Sequence, residues 1–229
     1  MSKLYLVSTP IGNLDDITLR AKKVLAQVDL ILAEDTRKTN YLLSRLGISG
    51  EPKLISYYQE NEVRRIPLVI DFLEKGKNVA LVSNAGTPLL ADPGYKLVKE
   101  VLARGFELEV VPGPSAFLTA LIASGFPPDH FVFLGFLPKR VGRKRKLLKQ
   151  LIKLDHRLIP TVVFYEAPTR LLKTLVVIRE LFGNVRLAVC RELTKKFEEV
   201  IRGRLDEILL ELNQRKKIKG EITVVFVLD

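Results

Sequence analysis

Short apolar runs of strand type alternate with helical spacing along the first half of the chain, and that rhythm leaves few folds open. Leu4–Ser8, Asp29–Ala33, Lys53–Tyr57, Asn78–Ser83 and Leu108–Pro112 each read as strands. Between them lie segments of helical period, such as Leu19, Val24, Leu25 and Val28, or Val63 to Leu73 ahead of Lys75-Gly76-Lys77. Gly94 to Arg104 repeats the pattern and stops at Gly105. Alternation of this kind predicts a parallel sheet with helices on its faces.

Beyond Pro127-Pro128-Asp129 the rhythm changes, which marks a domain boundary there. Strands are predicted at Phe131–Leu134, Thr161–Tyr165, Arg186–Arg191, Glu198–Gly203 and Glu221–Leu228. Two long helices and a short one join them, with a hairpin around Leu193-Thr194-Lys195-Lys196. Adjacent strands with no helix between them imply a mixed sheet. The expected organisation is two α/β domains, residues 1–126 with a mainly parallel sheet and residues 127–229 with a mixed one.

With 47% hydrophobic residues the chain can bury a sizeable core. Its 37 basic and 26 acidic side chains leave a net charge of +11, which favours a polyanionic partner, nucleic acid before anionic lipid. A single cysteine, Cys190, excludes an internal disulfide. The most apolar region, Val110 to Pro138, is cut by five prolines, and its longest clean run of about 11 residues is too short to span a bilayer. Met1-Ser2-Lys3 leads straight into a strand, so a cytoplasmic protein is expected. No G-x-G-x-x-G, P-loop or H-E-x-x-H motif is present. His130 follows a turn and His156 lies among Lys153, Asp155 and Arg157 at a helix end, so neither a metal site nor a histidine triad is expected.

Four loops bearing glycine or proline follow predicted strands. They are Ser8 to Asp16, Val82 to Gly94, Val111 to Ala116, and Phe164 to Arg170. Loops at the carboxyl ends of parallel strands share one edge, so the first three can converge. In the third, Pro114 suits the first helical position, leaving the amides of Ser115 and Ala116 free for a ligand or for an ordinary helix start. The second is 13 residues long with Asp92 as its one charge, which suits a polar head group other than phosphate. In the fourth, Glu166 either caps a helix or meets a ligand. Glu34, Asp35 and Arg37 in Ala33-Glu34-Asp35-Thr36-Arg37 are either a capped helix start with an exposed ion pair or a substrate-contacting cluster.

From Lys139 to Lys149, seven of eleven residues are basic and none is acidic. A solvated helix face is normally mixed in sign, so Lys139, Arg140, Arg143, Lys144, Arg145 and Lys146 are expected to meet phosphates. Phe133 and Phe136, just upstream, either stack bases or pack the core.

Taken together, STPIGNLDDIT, AEDTR, SNAGTPLLADPG, VPGPSA, GFLP ahead of basic residues, and FYEAPTR occur here in one order. On these motifs the chain resembles the ribosomal RNA small subunit methyltransferase I family of the tetrapyrrole methylase superfamily, from about Lys3 to Val227. The resemblance implies S-adenosylmethionine as cofactor, held in a cleft between the two domains. It implies methylation of a cytidine ribose 2′-hydroxyl in the decoding region of 16S ribosomal RNA in the small ribosomal subunit, by a homodimer. A cofactor without phosphate explains the lack of a phosphate-cradling loop. By motif, Pro10, Ile11 and Gly12 line the cleft. Ala85, Gly86, Thr87 and Leu90 follow the methionine part, and Ser115 and Ala116 meet the cofactor through their backbone. Tyr165, Glu166 and Ala167 fall near the adenosine, with Glu192, Leu193 and Thr223 close by, while Glu34, Asp35 and Arg37 face substrate. With no suitable histidine, a carboxylate of Glu34, Asp35 or Glu166 is the expected base. A tetrapyrrole carbon methyltransferase and a non-enzymatic RNA-binding module are the competing readings.

Overall fold

The structure is a computed structural model that describes residues 2–48, 52–153, 155, 158 and 160–228. His156, and the reading made of it, lies outside the described residues. Two compact units divide the chain, Met1–Ser115 and Ala116–Asp229. The division falls ahead of Pro127-Pro128 because helix α5 (Ala116–Ser124) packs on strands of the second unit.

In the first unit, β1 (Lys3–Val7), β2 (Leu30–Ala33), β3 (Lys53–Ser56), β4 (Val79–Val82) and β5 (Glu107–Val111) form one sheet, ordered β3-β2-β4-β1-β5. Every neighbouring pair is parallel, as the alternation predicts. The connecting helices are α1 (Leu19–Gln27), α2 (Thr36–Arg45), α3 (Glu62–Glu74) and α4 (Tyr95–Ala103). Both faces of the sheet are covered, so β2 and β4 are buried at every position. Leu4, Leu6, Leu32 and Leu81 point to the side of Val69, Leu73 and Leu97 from α3 and α4. Val7, Ile31, Ala80 and Val82 point to the side of Ala21, Leu25 and Leu43 from α1 and α2. A one-residue slip would exchange the two sets, which fixes the register.

The second unit holds β6 (Phe131–Phe136), β7 (Thr161–Glu166), β8 (Arg186–Arg191), β9 (Glu199–Arg204) and β10 (Ile222–Val227), ordered β6-β7-β10-β8-β9. Only β6 and β7 run parallel, so the sheet is mixed. Helices α6 (Val141–Leu151), α7 (Leu171–Phe182) and α8 (Leu205–Asn213) cover one face over Val162, Phe164, Val224 and Phe226. On the other face α5 carries Phe117 onto Phe133, with ring centroids 4.4 Å apart, and Phe133 meets Tyr165 edge-on at 5.1 Å. Phe133 is therefore part of this packing, whereas Phe136 is exposed.

Phe226 is fully buried, with its ring 5.5 Å from Phe182 and 6.3 Å from Phe164. Phe226→Ala is expected to cost about 3–5 kcal/mol. The drop would be read as a lower urea midpoint at unchanged slope.

Candidate functional site

Where β1 and β4 end, the chain leaves toward α1 on one face of the sheet and toward α4 on the other. Such a point is where parallel α/β sheets open a ligand crevice. Here the loops cross back on one another: Thr9 N–H donates to the Gly86 carbonyl at 2.9 Å, and Gly86 N–H to the Thr9 carbonyl at 3.0 Å. Gly86 sits at φ +82, and a Cβ there would lie 3.3 Å from Ile11 Cγ2. The third loop joins through hydroxyls, since Thr87 Oγ1 donates to the Pro114 carbonyl at 3.2 Å and lies 3.0 Å from Ser8 Oγ. A Cβ on Gly113 would fall 2.9 Å from Ser8 Cβ, so only glycine lets these segments touch.

The predicted convergence of the first three loops is thus present, bringing Pro10, Ile11, Gly12, Ala85, Gly86, Thr87 and Ser115 to one sheet edge. Leu90 is on the exposed part of the second loop, between Leu89 and Ala91, both at positive φ (71° and 68°). Strain of this kind concentrates at functional loops. Pro114 does not open α5, which starts at Ala116; its carbonyl is engaged by Thr87, and Ser115 occupies the residue before the helix.

The carboxylates of this edge differ in state. Asp35 caps α2, accepting from Arg37 N–H at 3.0 Å, and its side chain grips the Arg37 guanidinium at 2.9 and 3.1 Å. These bonds pull its carboxyl down to about 2. Glu34 and Asp92 instead form one tight cluster with Tyr57, Ser83, Pro88 and Pro93. Burial, and then the charge of Glu34, push the Asp92 carboxyl up to about 6, against a hydrogen bond from Ser83. Glu62, itself buried, frames the cluster from behind. Its Oε1 accepts from the Tyr57 hydroxyl at 3.2 Å and from the amides of Gly94 and Lys96 at 3.0 and 3.3 Å. Burial and the neighbouring Glu62 raise the Tyr57 phenol above its usual range.

In the second unit Tyr165 of β7, Thr223 of β10 and Cys190 of β8 stand in one row, with Ala167, Glu192 and Leu193 just past the strand ends. Burial pushes the Cys190 thiol up to about 12, so it is inert. Glu166 is fully buried and fully engaged. Arg170 Nη2 is 2.6 Å from Oε1 and Lys144 Nζ 3.2 Å from Oε2, while the Thr174 hydroxyl donates to Oε2 at 2.6 Å and Ala167 N–H to Oε1 at 2.8 Å. No lone pair is left for a substrate proton, so the base reading does not hold for Glu166. Glu192, at φ 53, accepts from Glu221 N–H at 2.8 Å and pairs with Lys195 at 3.0 Å, which lowers its carboxyl.

Lys144 departs from expectation. It points inward from α6 with Leu148 and Leu151, is 3% exposed, and also donates to Thr174. It neutralises Glu166 and is not available to phosphates. Arg145 pairs with Glu180. Lys139, Arg140, Arg143, Lys146 and Lys149 are exposed and form the basic face.

The model of the family Tetrapyrrole (Corrin/Porphyrin) Methylases matches residues 3–209. The chain belongs to the tetrapyrrole methylase family. It is 47% identical over 225 residues to the Ribosomal RNA small subunit methyltransferase I of Thermotoga maritima, covering 98% of each chain. With the Bacillus subtilis protein of the same name the identity is 46%, over 98% of this chain and 75% of the relative. Among solved structures, a diphthine synthase superposes with a TM-score of 0.72 at 14% identity over 99% of this chain and 90% of that one. A uroporphyrin-III C-methyltransferase of Thermus thermophilus complexed with S-adenyl homocysteine gives 0.64 at 18%, over 98% and 97%. These likenesses carry the methylase fold.

Sequence reasoning missed Asp92 and Glu62 in this tetrapyrrole methylase. The signal for Asp92 was its place as the one charge of an otherwise uncharged long loop; nothing local marks Glu62. Among the described residues no cluster of three or more His, Cys, Asp or Glu could hold a metal ion. No helix among them is long and apolar enough to cross a membrane.

Two outcomes are expected. Lys144→Ala leaves the Glu166 carboxylate buried beside a weakened set of partners and costs about 3–5 kcal/mol, whereas Lys146→Ala stays within about 0.5 kcal/mol, by urea unfolding. Asp92 holds its proton more tightly folded than unfolded, so the stability it contributes falls as pH rises from its usual 3.8 through about 6. Asp92→Asn should therefore stabilise the protein at pH 8 and lose that advantage below pH 4 in thermal unfolding.

Proposed function

We propose that this methylase transfers a methyl group from S-adenosylmethionine to the ribose 2′-hydroxyl of a cytidine in the decoding region of 16S ribosomal RNA. The observation that carries this is 47% identity, over 98% of both chains, to a relative named Ribosomal RNA small subunit methyltransferase I. The acid-free exposed face of Lys139, Arg140, Arg143, Lys146 and Lys149 supports an RNA substrate. The assembly is a homodimer acting in the cytoplasm on the small ribosomal subunit; the dimer rests on the family resemblance alone.

The residues present fit the cofactor. The edge of the first unit offers hydroxyls, carbonyls and carboxylates, and Asn84 Oδ1 is buried there without a partner among the described residues. An acceptor-rich edge suits a ligand with cationic sulfonium and ammonium groups and no phosphate. When bound, the cofactor supplies an electrophilic methyl on sulfur. Pro10, Ile11, Gly12, Ala85, Gly86, Thr87 and Leu90 would hold its methionine part and Ser115 and Ala116 its polar groups by their backbone. Tyr165, Ala167, Leu193 and Thr223 would take the adenosine, with Glu166 and Glu192 fixing the strand ends that carry them. The chain's main task is alignment of the hydroxyl with the methyl carbon.

Purified protein mixed with small subunits lacking the modification and labelled S-adenosylmethionine should label one decoding-region ribose, read as resistance to alkaline cleavage. If the five exposed basic residues meet phosphates, log K against log salt should slope about −3.5. Label on a tetrapyrrole ring and none on RNA would overturn the proposal in favour of carbon methylation.

A further inference from the structure

A 2′-hydroxyl is a poor acid, so its proton needs an acceptor as the new bond forms. The three carboxylates that sequence nominates are not equivalent. Glu166 has every lone pair occupied. Asp35 is spent on its own helix and on Arg37, and a carboxyl held at about 2 is a weak base. Glu34 remains, and it faces a carboxylate that sequence did not nominate.

We propose that Asp92 is the general base of the methyl transfer, with Glu34 acting on it as a positioning residue. The inference rests on the reading above that the acceptor is a ribose hydroxyl. Both carboxylates belong to one tight cluster just past the ends of β2 and β4, joined to the converging loops through Ser83, which bonds Gly86 and Thr9, and neither pairs with a lysine or arginine among the described residues. Asp92 lies two residues past Leu90 on the loop that carries the methionine-contacting candidates. On the same loop Asn84 Oδ1 is buried without a partner among the described residues. The groups facing Asp92 are Glu34, Tyr57 and the Ser83 hydroxyl, each one residue past the end of β2, β3 and β4 respectively. Behind Tyr57 stands Glu62, with Lys96 Nζ at 3.6 Å from α4. Tyr57 keeps its proton, so Asp92 is the group of this cluster that titrates near neutrality. With its carboxyl at about 6, Asp92 is ionised at pH 7 yet proton-hungry, the compromise that general-base catalysis favours.

The step balances without a co-reactant beyond the methyl donor. The hydroxyl oxygen bonds to the methyl carbon, the carbon–sulfur pair stays on sulfur as a neutral thioether, and the proton passes to an Asp92 oxygen.

The test is a pH profile of subunit methylation with cofactor affinity measured in parallel by calorimetry. Wild-type kcat should fall as pH drops through about 6. Asp92→Asn should lower kcat about 100-fold or more, with the Kd for S-adenosylmethionine within about twofold. Glu34→Gln should move the acid limb to lower pH, because the like charge that raises Asp92 is gone. Asp92→Glu should recover part of the rate, which a merely structural role would not predict. Asp92→Asn with normal kcat, or with weakened cofactor binding and normal kcat at saturation, would overturn the inference, the second outcome making Asp92 an anchor for the cofactor's ammonium. Wild-type enzyme that binds cofactor but labels no subunit would instead overturn the reading on which the inference rests.

Discussion

Two backbone hydrogen bonds between Thr9 and Gly86 hold the candidate site of the first unit together. Parallel strands diverge where their helices leave on opposite faces, and in many sheets that divergence is an open crevice. Here the loops reconnect in antiparallel fashion immediately beyond the strands. The geometry demands a left-handed residue with no side chain at Gly86 and a second bare backbone at Gly113, against Ser8. Once that bridge is made, the hydroxyls of Ser8 and Thr87 and the carbonyl of Pro114 fall into one chain of contacts. The long second loop is thereby pinned near its start by Gly86 and at its end by Glu62, which holds the amides of Gly94 and Lys96. Leu89, Leu90 and Ala91 lie between the pins, and the strained φ values of Leu89 and Ala91 are tolerated because both ends are fixed.

The second unit solves a different problem. Glu166 ends a strand with no exposed surface, where an isolated carboxylate would cost several kcal/mol. Lys144, Arg170, Thr174 and the amide of Ala167 supply its partners from α6, the turn after β7 and α7. Such a group is poor evidence for stability in itself, but it fixes the height at which α6 crosses the sheet. The orientation of α6 in turn decides which of its cations remain in water. Burying Lys144 turns Arg143 and Lys146 outward, so the buried ion group and the exposed basic face are two consequences of one helix rotation.

That coupling shows where the sequence is legible and where it is not. All ten predicted strands are present, within one or two residues at each end; β2 and β4, covered on both faces, are apolar throughout and announce themselves most plainly. The mixed second sheet follows from strands with no room for a crossover helix. The basic run was read by density, whereas period would have separated its members: Lys144, Leu148 and Leu151 are four and three apart and share the buried stripe. Pro114 was placed by its φ preference, but the carbonyl contact from Thr87 delays the helix. Asp92 and Glu34 lie far apart in sequence and meet only because β2 and β4 are neighbours in the sheet. No spacing rule links them, and their interaction depends on desolvation, which belongs to the fold and not to the residues.

Charge completes the division of labour within each unit. The net charge of +11 is a poor guide to the edge of the first unit, where acceptors predominate and two carboxylates share a cluster without a cation. Keeping Glu34 and Asp92 side by side opposes folding at neutral pH, and a chain so rich in lysine and arginine has ready means to neutralise them. Leaving the pair uncompensated preserves the raised proton affinity of Asp92, which a neighbouring lysine would abolish. The cations are instead gathered on α6, where exposure keeps them hydrated and their attraction for a polyanion depends on salt. Opposite fields are thus carried separately by the two units, an acceptor-rich edge in the first and a basic helix face in the second.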